Sequence, residues 1–258
     1  MTRRQVRLYR RSFIAVVLAI AVVQVSQAQS RDDKTDAAQV KEAKQTKSQA
    51  QAKEKTDQSK LVPLKLKLPR PAFKGTPAHA PPGTRIKKPT GKPRPPFLAP
   101  KGTQNVSLNK PVTSSDDEPI IGEIRFVTDG DKEAKEGSYV ELGPGAQWVQ
   151  IDLKCQYEIH ALLIWHYHIT ARIYHDVVVQ VADDADFISN VRTVFSNDHD
   201  NSAGLGLGEA HEYWETFEGL LVDAKGVQAR YVRLYSKGST SDDQNHYTEV
   251  EVYALPAK

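Results

Sequence analysis

From Asn105 onward the chain is built of short runs in which apolar and polar residues alternate. In residues 147–153, Val149, Ile151 and Leu153 share one side while Gln150 and Asp152 share the other, the alternation of a half-buried β-strand. Residues 161–167 are apolar almost throughout, which predicts a strand covered on both faces. Residues 176–181 are rich in β-branched side chains and read as strand. In residues 229–235, Val232 and Leu234 lie opposite Tyr231, Arg233 and Tyr235. Residues 248–254 alternate once more, predicting Val250 and Val252 inward and Glu249 and Glu251 outward. Clusters of Gly, Asn, Asp and Pro separate these runs, and no stretch repeats apolar residues at helical spacing. An all-β sandwich or jelly roll follows, with the strand order left open.

The first hundred residues lack this pattern. Residues 1–11 carry five arginines and no acid, and residues 12–23 are an apolar run too short to span a bilayer comfortably. Small Ser26 and Ala28 then occupy the −3 and −1 positions of a cleavage site after Ala28. This is the layout of a secretory signal peptide over residues 1–28, and it predicts an exported protein with no transmembrane segment once cleaved. Residues 29–60 are mostly Lys, Gln, Ala, Asp and Glu without an apolar face, so they predict a disordered or weakly helical segment. Residues 61–101 hold 11 of the 15 prolines, ten Lys/Arg and no acid. They predict an extended, basic, Pro-rich linker.

Charge sharpens the division. Residues 102–258 carry 12 Lys/Arg against 26 Asp/Glu, so the overall net of +3 cancels a basic arm against an acidic domain. The arm serves either as a spacer or as a dock for an anionic envelope polymer. Export and the lack of interleaved aromatics argue against nucleic acid. The single cysteine, Cys155, excludes an intrachain disulfide and a Cys-rich metal cluster.

Five segments in order carry a resemblance. Residues 105–115 (NVSLNKPVTSS), 128–131 (TDGD), 147–153 (QWVQIDL), 229–234 (ARYVRL) and 249–253 (EVEVY) are similar to the signature segments of the discoidin, or coagulation-factor type C, family. The resemblance spans about residues 105–254. It implies a galactose-binding-like jelly roll of two antiparallel sheets with ligand loops at one end. Lys154 stands where the family has glycine, residues 182–187 (ADDADF) replace its usual turn, and residues 195–218 look like an insertion.

Two ion sites and one ligand cluster are candidates. Asp129 and Asp131 offer hard oxygen ligands on a turn that Gly130 permits. The resemblance implies a structural Ca²⁺ held by the side chains of Asp129 and Glu249, with Asp131, Ser138, Phe126 and Thr248 giving mainly carbonyls. The alternative is a plain turn and a solvated Glu249. In residues 198–209, Asp198, Asp200, Ser202 and Glu209 fall at positions 1, 3, 5 and 12 of a calcium-loop pattern, but Ala203 holds the glycine position and no helices flank it. Residues 165–176 gather His166, His168, Arg172, Tyr174 and His175, with Asn245 and His246 placed to join them and Tyr213 and Trp214 as further neighbours. Planar donors and aromatic faces of this kind suit carbohydrate hydroxyls. The same histidines equally suit hydrogen bonds closing a sheet end, and no spacing marks His166, His168 and His175 as a zinc site.

No nucleophile elbow, paired-histidine zinc helix or phosphate loop is present. The expected function is therefore non-enzymatic: carbohydrate binding at the loop end with a structural calcium. The alternative is an adhesion or scaffolding module that binds protein or anionic surface with help from the basic arm.

Overall fold

The computed structural model describes residues 61–72, 81, 85–87 and 92–257. The expected signal peptide and residues 29–60 lie outside the described residues. Apart from Leu61, the described residues belong to one unit, Val62–Lys258.

The order of elements is β1 (Leu61–Pro63), β2 (Leu98–Pro100), β3 (Gln104–Asn105), β4 (Val112–Ser114), the 3₁₀ turn η1 (Ile124–Thr128), β5 (Val140–Leu142), β6 (Gln147–Trp165), β7 (Val178–Ala182), β8 (Arg192–Ser196), β9 (Leu220–Ser236), β10 (Asn245–Tyr247) and β11 (Glu249–Pro256). A seven-stranded antiparallel sheet runs β3-β11-β6-β9-β7-β8, with β4 added to the first half of β6. A small second sheet pairs β5 with β10. Val149, Ile151, Val179, Val181, Val232, Leu234, Val250 and Val252 face inward from the large sheet, and Val140, Leu142 and Tyr247 meet them from the small one. The fold is an antiparallel β-sandwich, as the alternation required.

Two predicted strands are one. Residues 147–153 and 161–167 both fall on β6, which ends at Trp165 and whose pairing with β9 slips between Asp152 and Tyr157 and again between Ile159 and Ala161. The second slip shifts the phase by one residue. Odd positions face the core up to Ile159, whereas Leu162 and Ile164 do so beyond it. Lys154 lies in the first irregularity with φ +75°, the left-handed conformation that the glycine of the resemblance adopts more readily.

The part of the arm that is described does more than extend. β1 and β2 pair with each other, and Leu64 N donates to Phe97 O at 2.8 Å. Leu64, Leu66 and Phe97 pack on a second cluster of Ala161, Leu163, Trp165 and Tyr253, on the outer face of the large sheet. Arg94 donates to the carbonyls of Gly219 at 2.8 Å and Glu218 at 2.7 Å. Residues 161–165 are thus buried on both faces because the Pro-rich stretch, read from sequence as a spacer, supplies the second cover.

Candidate functional site

The rim grows out of the shifted phase of β6. Continuing inward from Leu162 and Ile164, His166 enters the core rather than solvent. It is fully buried, stacked on Tyr174 with ring centroids 4.4 Å apart, and its Nδ1 lies 2.7 Å from Glu215 Oε1. Glu215 comes from the insertion-like segment and also accepts the His166 backbone N–H at 3.2 Å. Tyr174 is equally buried, and loss of solvent raises its phenol well above the ordinary range. Asn245 is spent on architecture: its Oδ1 accepts from Ser236 Oγ and Gly238 N, and its Nδ2 donates to the carbonyls of Gly143 and Gly145. His168 is buried with Nε2 2.8 Å from Lys132 O. His175 is half-exposed, with Nδ1 3.4 Å from Glu212 Oε1.

Arg172 and His246 are buried next to Tyr174 and carry the inner group toward the half-buried Tyr139 and Tyr167. The Arg172 guanidinium lies over the Tyr167 ring at 4.8 Å, and its Nη1 donates to Asp242 Oδ2 at 2.9 Å. Tyr139 meets Tyr167 edge-on at 5.1 Å, and the His246 ring lies 6.0 Å from Tyr139 and 5.8 Å from Tyr167. The β5–β10 register sets His246 opposite Glu141, and His246 Nε2 lies 3.1 Å from Glu141 Oε2. Behind Tyr139 the chain passes so close that a Cβ on Gly122, φ +79°, would collide with the Tyr139 carbonyl. Tyr139 and Tyr167 are half-buried, whereas Arg172 Nε and His246 Nδ1 are buried without a hydrogen-bond partner. Burial lowers the His246 imidazole to about 4, so it is neutral at physiological pH. The arrangement sets two half-buried tyrosines over a buried guanidinium and imidazole, and aromatic surface with phenol groups suits ligands rich in hydroxyls and C–H surface. Tyr167 lay within the segment 165–176 that the sequence singled out, whereas Tyr139, Glu141 and Asp242 had no signal there: the strands bring them together from far apart in the chain.

The residues of the expected calcium site are divided. Glu249 is fully buried rather than solvated, because its outer face is covered. Its Oε2 accepts the Gly130 N–H at 3.0 Å, joining β11 to the Asp129 loop, while Oε1 has no partner. Burial, with Glu251 and Asp129 adding repulsion, pushes the Glu249 carboxyl up to about 9. Asp129 Oδ1 accepts the Asp131 N–H at 2.8 Å and Asp131 Oδ1 accepts the Glu133 N–H at 2.9 Å. Ser138 Oγ is taken up by the backbone of Lys135, and Thr248 Oγ1 donates to His166 O. Phe126 lies in η1, half-buried. A buried carboxylate oxygen without a partner, beside a second carboxylate, fits a hard cation.

The second acidic candidate has changed members. Asp176, Asp198 and Asp200 have carboxylate oxygens within 4.8 Å of one another, an acidic group that could hold a metal ion. Asp198 accepts the N–H groups of Ser202 and Ala203, and Ser202 Oγ donates to Asp176. Asp176, which the loop pattern did not include, replaces Glu209, which is exposed and outside the group.

No protein-family model and no curated protein matches the sequence. Among solved structures, a fucose-binding module from Streptococcus pneumoniae is 20% identical, covers 58% of this chain and 97% of its own, and has a TM-score of 0.42. Chitosan-binding module 1 from a chitosanase/glucanase of Paenibacillus sp. IK-5 is 22% identical, covers 58% and 98%, and has a TM-score of 0.39. CpGH89CBM32-4 from Clostridium perfringens, in complex with GlcNAc-alpha-1,4-galactose, is 15% identical, covers 60% and 96%, and has a TM-score of 0.45. The fold itself is an antiparallel β-sandwich. These neighbours are carbohydrate-binding modules, but at these values the likeness extends to neither ligand nor residues. No helix among the described residues is long and apolar enough to cross a membrane.

Proposed function

We propose that this chain is an exported, non-catalytic binding protein whose sandwich grips carbohydrate at the rim formed by Tyr139, Tyr167, Arg172 and His246. The observation that carries this reading is the grouping of the half-buried Tyr139 and Tyr167 rings with the Arg172 guanidinium and the His246 imidazole at this end of the sandwich. The half-buried tyrosines can offer phenol groups and ring surface to a sugar's hydroxyls and C–H faces, with Arg172 and His246 packed behind them. His166, Tyr174 and Asn245 position these groups from inside, whereas the contacts of His168 and His175 are with Lys132 and Glu212.

A structural calcium ion completes the reading. Asp129 and Glu249 would hold it through their side chains. Its charge would neutralise a buried carboxylate and tie the 129–131 loop to β11. Nothing in this arrangement asks the ion to take part in binding sugar.

The test is a glycan array probed with the full chain, followed by competition with a simple neutral sugar. Saturable binding that the free sugar competes, and that Arg172→Ala abolishes, supports the reading. Attachment that is salt-sensitive, survives Arg172→Ala and disappears on deleting residues 61–101 defeats it in favour of adhesion through the arm.

A further inference from the structure

Beside the patch sealed by Leu64, Leu66 and Phe97, the arm and the sandwich line an open pocket of about 560 Å³, within the size range of small-molecule sites. No element of the rim contributes to it. Leu64, Ala99 and Leu108 supply apolar wall, and Thr103 and Gln104 supply polar groups. A saccharide unit offers both hydroxyls for the polar edge and C–H faces for the apolar wall.

Charge narrows the class further. On the sandwich side, Glu251 Oε1 is held by Lys132 Nζ at 2.6 Å and Oε2 accepts from Tyr253 OH at 2.7 Å. Lys132 also donates to Lys67 O at 3.2 Å, tying the arm to the 129–135 loop. The acid lining the cavity is therefore neutralised within the protein. On the arm side, Lys65 and Lys67 are exposed and form no ion pair with a described residue, and residues 61–101 contain no acid. Although the surrounding domain is acidic, the arm side of this opening is positively charged.

We propose that the arm and the sandwich together form a second ligand site, separate from the rim, that takes an acidic saccharide unit whose anionic group pairs with Lys65 and Lys67. The site does not depend on the carbohydrate reading of the rim. It gives the basic arm a role other than spacing, because the arm is one wall of the site.

The experiment is calorimetric titration of the full chain with an oligouronate, with the same oligomer after reduction of its carboxyl groups, and with a sulfated oligosaccharide. The oligouronate binds, with an affinity that falls as salt rises, and the carboxyl-reduced oligomer binds at least about ten-fold more weakly. The sulfated oligomer distinguishes a site for any anionic group from one for carboxylates. The double variant Lys65→Glu, Lys67→Glu weakens the oligouronate by about ten-fold or more at unchanged melting temperature, whereas Tyr167→Ala leaves it unchanged. Equal binding of the reduced oligomer, or of the double variant, overturns the proposal. So does loss of oligouronate binding in Tyr167→Ala, which would assign that ligand to the rim. Should neutral sugars fail at the rim while the lysine-dependent binding persists, the rim reading falls and this site stands.

Discussion

On the outer face of the large sheet, Glu251 meets Lys132 at 2.6 Å and Tyr253 at 2.7 Å, whereas at the rim Arg172 and His246 each keep a buried nitrogen without a hydrogen-bond partner. Both places bury polar groups at a cost. Where the groups match one another, the cost is recovered inside the chain and the result is structure. Where an atom is left over, its desolvation is not recovered inside the chain, and the rim tolerates this beside half-buried rings. Glu249 sits two residues from Glu251 on the same face of β11, yet it falls with the rim in this respect, because one oxygen is unmatched. The difference between matched and unmatched polar groups is what separates the two places.

The largest effect is expected on the matched side. A chain beginning at residue 102 lacks Leu64, Leu66, Phe97 and the Arg94 bonds, so it exposes Trp165 and its neighbours. It should lose on the order of 3–5 kcal/mol relative to a chain beginning at residue 61, read from urea unfolding. An unchanged midpoint would show that the arm covers nothing that matters.

Calcium comes next. At saturating concentration it should stabilise the protein by roughly 2–3 kcal/mol, seen as a melting shift that EDTA reverses. Glu249→Gln keeps an acceptor for Gly130 N–H but removes the charge, so the calcium-dependent shift disappears. A shift that persists in this variant, and vanishes instead when Asp198 is replaced, would move the ion to the Asp176 group.

Acid should weaken the rim specifically. Burial holds the His246 pKa at about 4, below the ordinary 6.5, so the fold favours the neutral ring. The stability this secures is complete above about pH 6.5, is lost progressively as the pH falls toward about 4, and declines no further below that. His246→Gln should flatten the pH profile across that window and leave it unchanged above. A wild-type slope that the variant retains would mean that another group titrates there.

The smallest expected effect is a gain. Lys154 holds φ +75°, and Lys154→Gly should stabilise the protein by about 0.5–1 kcal/mol, offset in part by loss of the Lys154 contact with Asp152 at 3.2 Å. A net loss in urea unfolding would give the lysine side chain a larger part than its backbone strain.

Sequence alternation located most of the strands because it records which face meets the core. It missed the slip between Ile159 and Ala161, since a single inserted residue reverses the phase without altering composition. That slip is why His166 lies in the core. Glu249 and Glu251 pointed away from the inner core as expected, but the 129–132 loop and the arm lie on that face, and alternation along one strand holds no record of a cover so distant in the chain. The join between Gly130 and Glu249 followed from the resemblance. The rim aromatics did not, because Tyr139 and Tyr167 meet only through the pairing of β5 with β10. Asp176 joined the acidic group in the same way, from outside the loop pattern that contained the others.

The most direct measurement of the rim's role is a two-dimensional NMR titration of the calcium-loaded protein with a neutral sugar selected on the array, repeated for Tyr167→Ala. The account predicts saturable shifts concentrated at Tyr139, Tyr167, Arg172 and His246, weakened at least about ten-fold in the variant at unchanged melting temperature. Shifts that cluster on another surface, or that Tyr167→Ala leaves intact, would contradict it.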